Sequence, residues 1–147
     1  MNIVEAAVRI LRVRAHSRYE LEQKLLNQGY DELAVNQAVQ YVTERGYLND
    51  AALCDVLLDQ YAQMNKYSLR ETCLKLRRRG LPADLITAKL AERDGEFEYQ
   101  AAFRLAARYF CAENGADMNK LIRRLAAKGF KTGTVRKVLE RLRDMAP

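Results

Sequence analysis

Ser17-Arg18-Tyr19-Glu20-Leu21-Glu22-Gln23-Lys24-Leu25, closing on Gly29-Tyr30, decides the fold, because the chain returns to this pattern about every 50 residues, the spacing of a stacked repeat array. The second copy is Ser68-Leu69-Arg70-Glu71 with Lys75-Leu76 and Gly80-Leu81. The third runs from Asp117 through Lys120, Arg124-Leu125 and Gly129-Phe130; it keeps the spacing and the apolar positions but reverses the charge where Glu20 and Glu71 stand. Ser17 with Glu20, and Ser68 with Glu71, have the spacing of a capping box, in which hydroxyl and carboxylate satisfy each other's backbone amides and start a helix. Gly29, Gly80 and Gly129 fall where a left-handed residue would end it, a conformation glycine adopts without a Cβ penalty.

The repeat extends outward on both sides. Counting back from each glycine, Ile3, Ala7 and Ile10 correspond to Cys54, Leu58 and Tyr61, then to Phe103, Ala107 and Phe110, an i, i+4, i+7 stripe that predicts a preceding helix. Counting forward, Val35, Val39 and Val42 correspond to Ile86, Leu90 and Arg93, then to Val135, Leu139 and Leu142, a following helix with one mismatch at Arg93. Pro82 is expected just inside the second of these following helices, and Gly46 and Gly95 are expected to close the first two. The reading is all-α: nine helices in three tandem three-helix repeats, spanning 1–48, 49–95 and 96–147, stacked into an elongated, curved, right-handed-type helical array. No strand pattern competes with it.

Composition narrows the function. The 49% hydrophobic content of the 147 residues is that of an ordinary soluble domain. No apolar run is long enough for a bilayer, and the N-terminus lacks a signal-peptide pattern, so a cytoplasmic protein without a membrane partner is expected. Cys54, Cys73 and Cys111 are odd in number and lack metal-ligand spacing, and are read as reduced structural thiols. The net charge is +6. Charges cancel from Met1 to Asn49 and the excess lies mostly beyond Glu96, where Lys120, Arg124 and Lys128 form an i, i+4, i+8 stripe beside Arg123, followed by Lys131, Arg136, Lys137, Arg141 and Arg143. A second dense cluster comprises Lys66, Arg70, Lys75, Arg77, Arg78 and Arg79. Acids are segregated too: Asp50, Asp55 and Asp59 in one group, and Asp84, Glu92, Asp94, Glu96 and Glu98 in another.

Cations in the last turn before a helix-ending glycine complement the carbonyl end of the helix dipole, a local explanation that covers Arg77, Arg78, Arg79 and Lys128. It does not account for Arg70, Lys120, Arg123, Lys131 or the run beyond Arg136, for which a phosphate-bearing or acidic partner is the better explanation. His16, the single histidine, is read as packing over the entrance to the Ser17 helix, since no nucleophile or orienting acid stands near it. Asp55 and Asp59, one turn apart, are read as a solvated face. Tyr30, Tyr47, Tyr61 and Tyr109 are assigned to packing rather than to base stacking. There is no phosphate-cradling glycine loop, metal-ligand cluster or nucleophile elbow, so neither an enzyme nor a cofactor is expected.

Val8-Arg9-Ile10-Leu11 with Arg14, His16-Ser17-Arg18, Glu20-Leu21 and Lys24-Leu25 resembles the amino-terminal signature of the RecX family, bacterial regulators of the recombinase RecA. Gly46-Tyr47-Leu48-Asn49-Asp50 is similar to the junction before that family's second unit, and Leu76 with Arg79-Gly80-Leu81 resembles its later Leu, Lys-Gly-Ile pattern. The carboxyl-terminal third matches in outline. Asn65-Lys66-Tyr67-Ser68 departs from the glycine-rich basic turn usual there. The resemblance implies a non-enzymatic modulator, expected to be a monomer, that lodges in the groove of the RecA filament on DNA. It would hinder strand exchange, ATPase and coprotease activities in DNA repair, recombination and the SOS response. For that surface the reading selects Arg70, Arg77, Arg78, Lys120, Arg123, Arg124 and Lys128, with direct contact to DNA also open. The alternative is a helix-turn-helix DNA-binding protein, against which the third helices, such as Glu32 to Arg45 and Ala83 to Arg93, lack a dense outward set of Arg, Asn and Gln of the kind that base reading uses.

Overall fold

A computed structural model describes residues 2–93, 95–113 and 118–145, without the side chains of 110–113. Asp94 and Asp117, and the side chains of Phe110 and Cys111, therefore lie outside the described residues. Within them the chain forms α1 (Ile3–Val13), α2 (Arg18–Asn27), α3 (Glu32–Glu44), α4 (Asp50–Met64), α5 (Leu69–Arg78), α6 (Ala83–Ala91), α7 (Glu96–Glu113), α8 (Met118–Lys128) and α9 (Thr132–Met145). No strand occurs among the described residues.

Each element of the repeated motif has a visible job. Both serine capping boxes form: the hydroxyls of Ser17 and Ser68 accept from the amides of Glu20 and Glu71, each at 3.1 Å, and the two glutamates accept in return from the serine amides at 2.9 and 3.1 Å. At the other end the amides of Tyr30, Leu81 and Phe130 donate to the carbonyls of Leu25, Leu76 and Leu125, the six-to-one bond of a Schellman closure. That closure requires the intervening Gly29, Gly80 and Gly129 to take positive φ, and they do, at 98°, 82° and 96°. The apolar residue after each glycine is thereby turned inward. Leu25, Leu76 and Leu125 themselves are buried in equivalent places, each stabilising the fold by about 2–3 kcal/mol from apolar burial.

Backbone contacts gather the chain into two units. One takes the chain up to Leu57 with Leu76–Lys89, and the other takes Leu58–Lys75 with the chain from Leu90 onward. The core of the first is built by Ala7, Leu21, Leu25, Val35, Val39 and Val42 from α1, α2 and α3. The core of the second is built by Ala102, Ala106, Tyr109, Leu121, Leu125 and Val138 from α7, α8 and α9.

Three details correct the sequence reading. The buried stripe of α7 is Ala102, Ala106 and Tyr109, one residue away from the expected Phe103 and Ala107; Phe103 is only partly buried and carries the Arg141 guanidinium 3.8 Å over its ring. Gly95 does not close α6: it precedes α7, where its carbonyl accepts from Tyr99 N at 3.2 Å. Pro82 lies one residue before α6, its carbonyl accepting from Ile86 N. Capping of the third helices also differs by copy. Asp31 caps α3 through Ala34 N at 2.8 Å. At the corresponding place before α9 stands Lys131, which has no acceptor in its side chain; its own amide, rather than one inside the helix, donates to the buried Glu98 carboxylate of α7 at 3.1 Å.

Candidate partner-binding surface

The two serine caps each reach a second partner. Ser17 Oγ donates to the carbonyl of Arg79, at the end of α5, and Ser68 Oγ donates at 2.7 Å to the carbonyl of Lys128, at the end of α8. One hydroxyl thus starts its own helix and satisfies a carbonyl that the end of another helix leaves open. The residue two positions after each serine lies over the corresponding glycine. A Cβ on Gly80 would stand 2.7 Å from Tyr19 Cβ, and one on Gly129 would stand 2.6 Å from Arg70 Nε. The cation before the glycine completes the arrangement. Arg79 forks onto Glu20 at 2.9 and 3.2 Å and donates to Ala15 O at 3.0 Å, while Lys128 lies 3.5 Å from Glu71.

The predicted surface residues differ in their local partners. Lys128 is partnered by Glu71, Arg70 donates to Ala127 O at 2.8 Å, and Arg124 rests 4.5 Å over the Tyr109 ring. Arg70, Arg77, Arg78, Lys120, Arg123 and Arg124 are all exposed, and Arg77, Arg78, Lys120 and Arg123 are the four without one of these contacts. Arg77 and Arg78 belong to the first unit; Arg70, Lys120, Arg123, Arg124 and Lys128 belong to the second.

Other singled-out residues resolve into local chemistry. Asp55 and Asp59 are ion-paired rather than merely solvated, to Lys89 at 2.9 Å and to Arg93 at 2.7 Å. The second pair explains the Arg93 mismatch in the apolar pattern. His16 is buried between Lys24 Nζ, 2.8 Å from Nε2, and Arg14 O, 2.9 Å from Nδ1. An ammonium can only donate, so Nε2 accepts and Nδ1–H donates. Burial holds the His16 pKa below the usual imidazole value; the Arg14 carbonyl opposes that, and the Lys24 charge reinforces it. For Glu20, burial raises the pKa, but hydrogen bonds from Arg79 and Ser17, with the charges of Arg79 and Arg14, outweigh it and leave the carboxyl below its ordinary value. Cys54 is buried, and burial pushes the Cys73 thiol up, which disfavours a reactive thiolate. Tyr109 is buried as expected, whereas Tyr47 is 57% exposed.

The Asn65 departure has a backbone explanation. Asn65 is the one described non-glycine residue at positive φ, 53°, and asparagine tolerates the left-handed region better than most side chains. It makes the turn that glycine makes elsewhere. Sequence reading overlooked Arg104 and Arg108, which lie beside this turn; their i, i+4 spacing was the available signal. Among the described residues no group of His, Cys, Asp and Glu could hold a metal, and no helix is long and apolar enough to cross a membrane.

Comparison with known proteins agrees with this architecture. The family described as RecX, first three-helix domain, matches residues 4–41. Regulatory protein RecX of Halorhodospira halophila is 31% identical over 136 residues, covering 90% of this chain and 83% of that protein. Regulatory protein RecX of Chlorobium limicola is 29% identical over 142 residues, 96% of this chain and 89% of that protein. The crystal structure of RecX from Lactobacillus salivarius superposes with a TM-score of 0.88 at 17% identity, covering 97% of this chain and 95% of the other, a likeness of fold.

Proposed function

The chain belongs to the RecX family of regulatory proteins, and from that premise we propose that it binds the RecA nucleoprotein filament and modulates it without catalysing a reaction. The observation that carries this reading is that the likeness to named regulatory proteins runs over nearly the whole chain rather than over a single repeat. The charge map supports it. A filament offers DNA phosphates and acidic side chains together, and Arg77, Arg78, Lys120 and Arg123 are exposed cations outside the internal stitches. Bound against neighbouring subunits, the protein hinders strand exchange, ATP hydrolysis and coprotease activity and favours disassembly.

The helix-turn-helix alternative gains little. On α3, Asn36, Gln37 and Gln40 are exposed, but they lie between Glu32 and Glu44, whose charge opposes approach to phosphate. Binding of the protein to RecA filaments, to free RecA and to naked DNA separates the readings. The proposal expects the filament to be bound most tightly. Equal affinity for naked DNA and filament, with no effect on ATP hydrolysis, would replace it with plain DNA binding.

A further inference from the structure

We propose that the cleft between the Met64–Lys66 turn and α7 holds a backbone phosphate of a nucleic-acid strand, clasped by Lys66, Arg104 and Arg108. The cleft has a volume of about 310 Å³ and is lined by Met64, Asn65, Lys66, Arg104, Leu105 and Arg108. Among the described residues, three cations and no acid line it. At Arg79, Lys89, Arg93 and Lys128, by contrast, the cation faces a carboxylate. Like charges gathered without a counterion repel one another, and an anion entering the cleft relieves that repulsion.

Two of the side chains are held before any ligand arrives. Arg104 Nη1 donates to Met64 O at 3.0 Å, which fixes the guanidinium and leaves its other N–H groups available. Lys66 Nζ stands 5.3 Å over the Tyr67 ring, a cation–π contact that restrains the ammonium. The left-handed turn at Asn65 brings Lys66 to the same cleft as the two arginines one turn apart on α7. Cations supplied from two elements suit a tetrahedral phosphodiester, whose free oxygens diverge, better than a planar carboxylate bound by a single fork. Contact of this kind is independent of base sequence.

This site is made of residues other than the exposed cations assigned to the filament, and its test contains no RecA, so either reading can fail without the other. A fluorescent single-stranded oligonucleotide is titrated with wild-type protein and with the double variant Lys66→Gln, Arg108→Gln at several salt concentrations, with thermal melting as the folding control. Losing two phosphate contacts lowers the slope of log affinity against log salt by about 1.4, so between roughly 50 and 200 mM salt the variant loses about sevenfold less affinity than wild type. An unchanged slope in a folded variant overturns the proposal, as does wild-type protein that does not bind the naked strand.

Discussion

Replacing the three helix-ending glycines one at a time by alanine should separate backbone strain from close packing. Gly29, Gly80 and Gly129 share a left-handed backbone, so each alanine carries a strain of about 1 kcal/mol. Around Gly29 nothing lies within 4 Å of the new methyl, and strain is the whole effect. At Gly80 the methyl would stand 2.7 Å from Tyr19 Cβ. The tyrosine ring is exposed and can swing aside, but its Cβ is fixed by α2, so the helix or the turn must shift. That overpacking adds about 1–3 kcal/mol, for a total of roughly 2–4 kcal/mol. Gly129→Ala meets Arg70 Cβ at 2.8 Å and should behave similarly. Urea unfolding followed by circular dichroism measures all three. A loss for Gly29→Ala equal to or larger than that for Gly80→Ala would refute the packing argument.

Ser68→Ala removes a cap and also leaves Lys128 O without its donor, so it should destabilise by about 2–3 kcal/mol, against about 1 kcal/mol for the simple cap lost in Asp31→Ala; equal losses in urea titrations would count against a double role. Leu25→Ala, Leu76→Ala and Leu125→Ala should each cost roughly 2–5 kcal/mol, and a loss below about 0.5 kcal/mol at two of the three would break the repeat equivalence. The His16 pKa is depressed in the folded state, so its contribution to stability is present above the ordinary imidazole value and is lost as pH falls through the depressed one. His16→Gln should therefore flatten the decline in stability below pH ~6.5, measured by urea midpoints across pH, and an unchanged decline would exclude the histidine as its source.

Much of the fold was legible because the repeated motif is made of local chemistry. A serine cap, a buried leucine and a left-handed glycine each act within one helix, and their spacing alone identifies them. The second partner of each serine was not legible, since Arg79 O and Lys128 O lie 62 and 60 residues away, and nothing in a hydroxyl's identity tells where a distant carbonyl will stand. The same holds for Asp55 and Asp59, whose partners lie 34 residues on. The α7 stripe, counted back from Gly129, falls one residue off because α7 buries Ala102 and Ala106 rather than the Phe103 and Ala107 that align with Cys54 and Leu58. On the candidate surface, sequence identified the basic segments but could not tell Lys128, partnered by Glu71, from Arg123, which is exposed.

The most direct test of the filament reading reverses the exposed cations and spares the stitched ones. Arg77, Arg78, Lys120 and Arg123 are replaced together by glutamate, which keeps helix propensity similar and leaves the Arg79–Glu20 and Lys128–Glu71 pairs in place. Wild-type and variant protein are then titrated into RecA filaments on single-stranded DNA while ATP hydrolysis is followed. The wild type should slow hydrolysis in proportion to its binding, and the folded variant should do so only at tenfold or higher concentration, by analogy with roughly 1.4 kcal/mol of lost interaction. Hydrolysis unaffected by the wild type, or slowed identically by both proteins, would contradict the account.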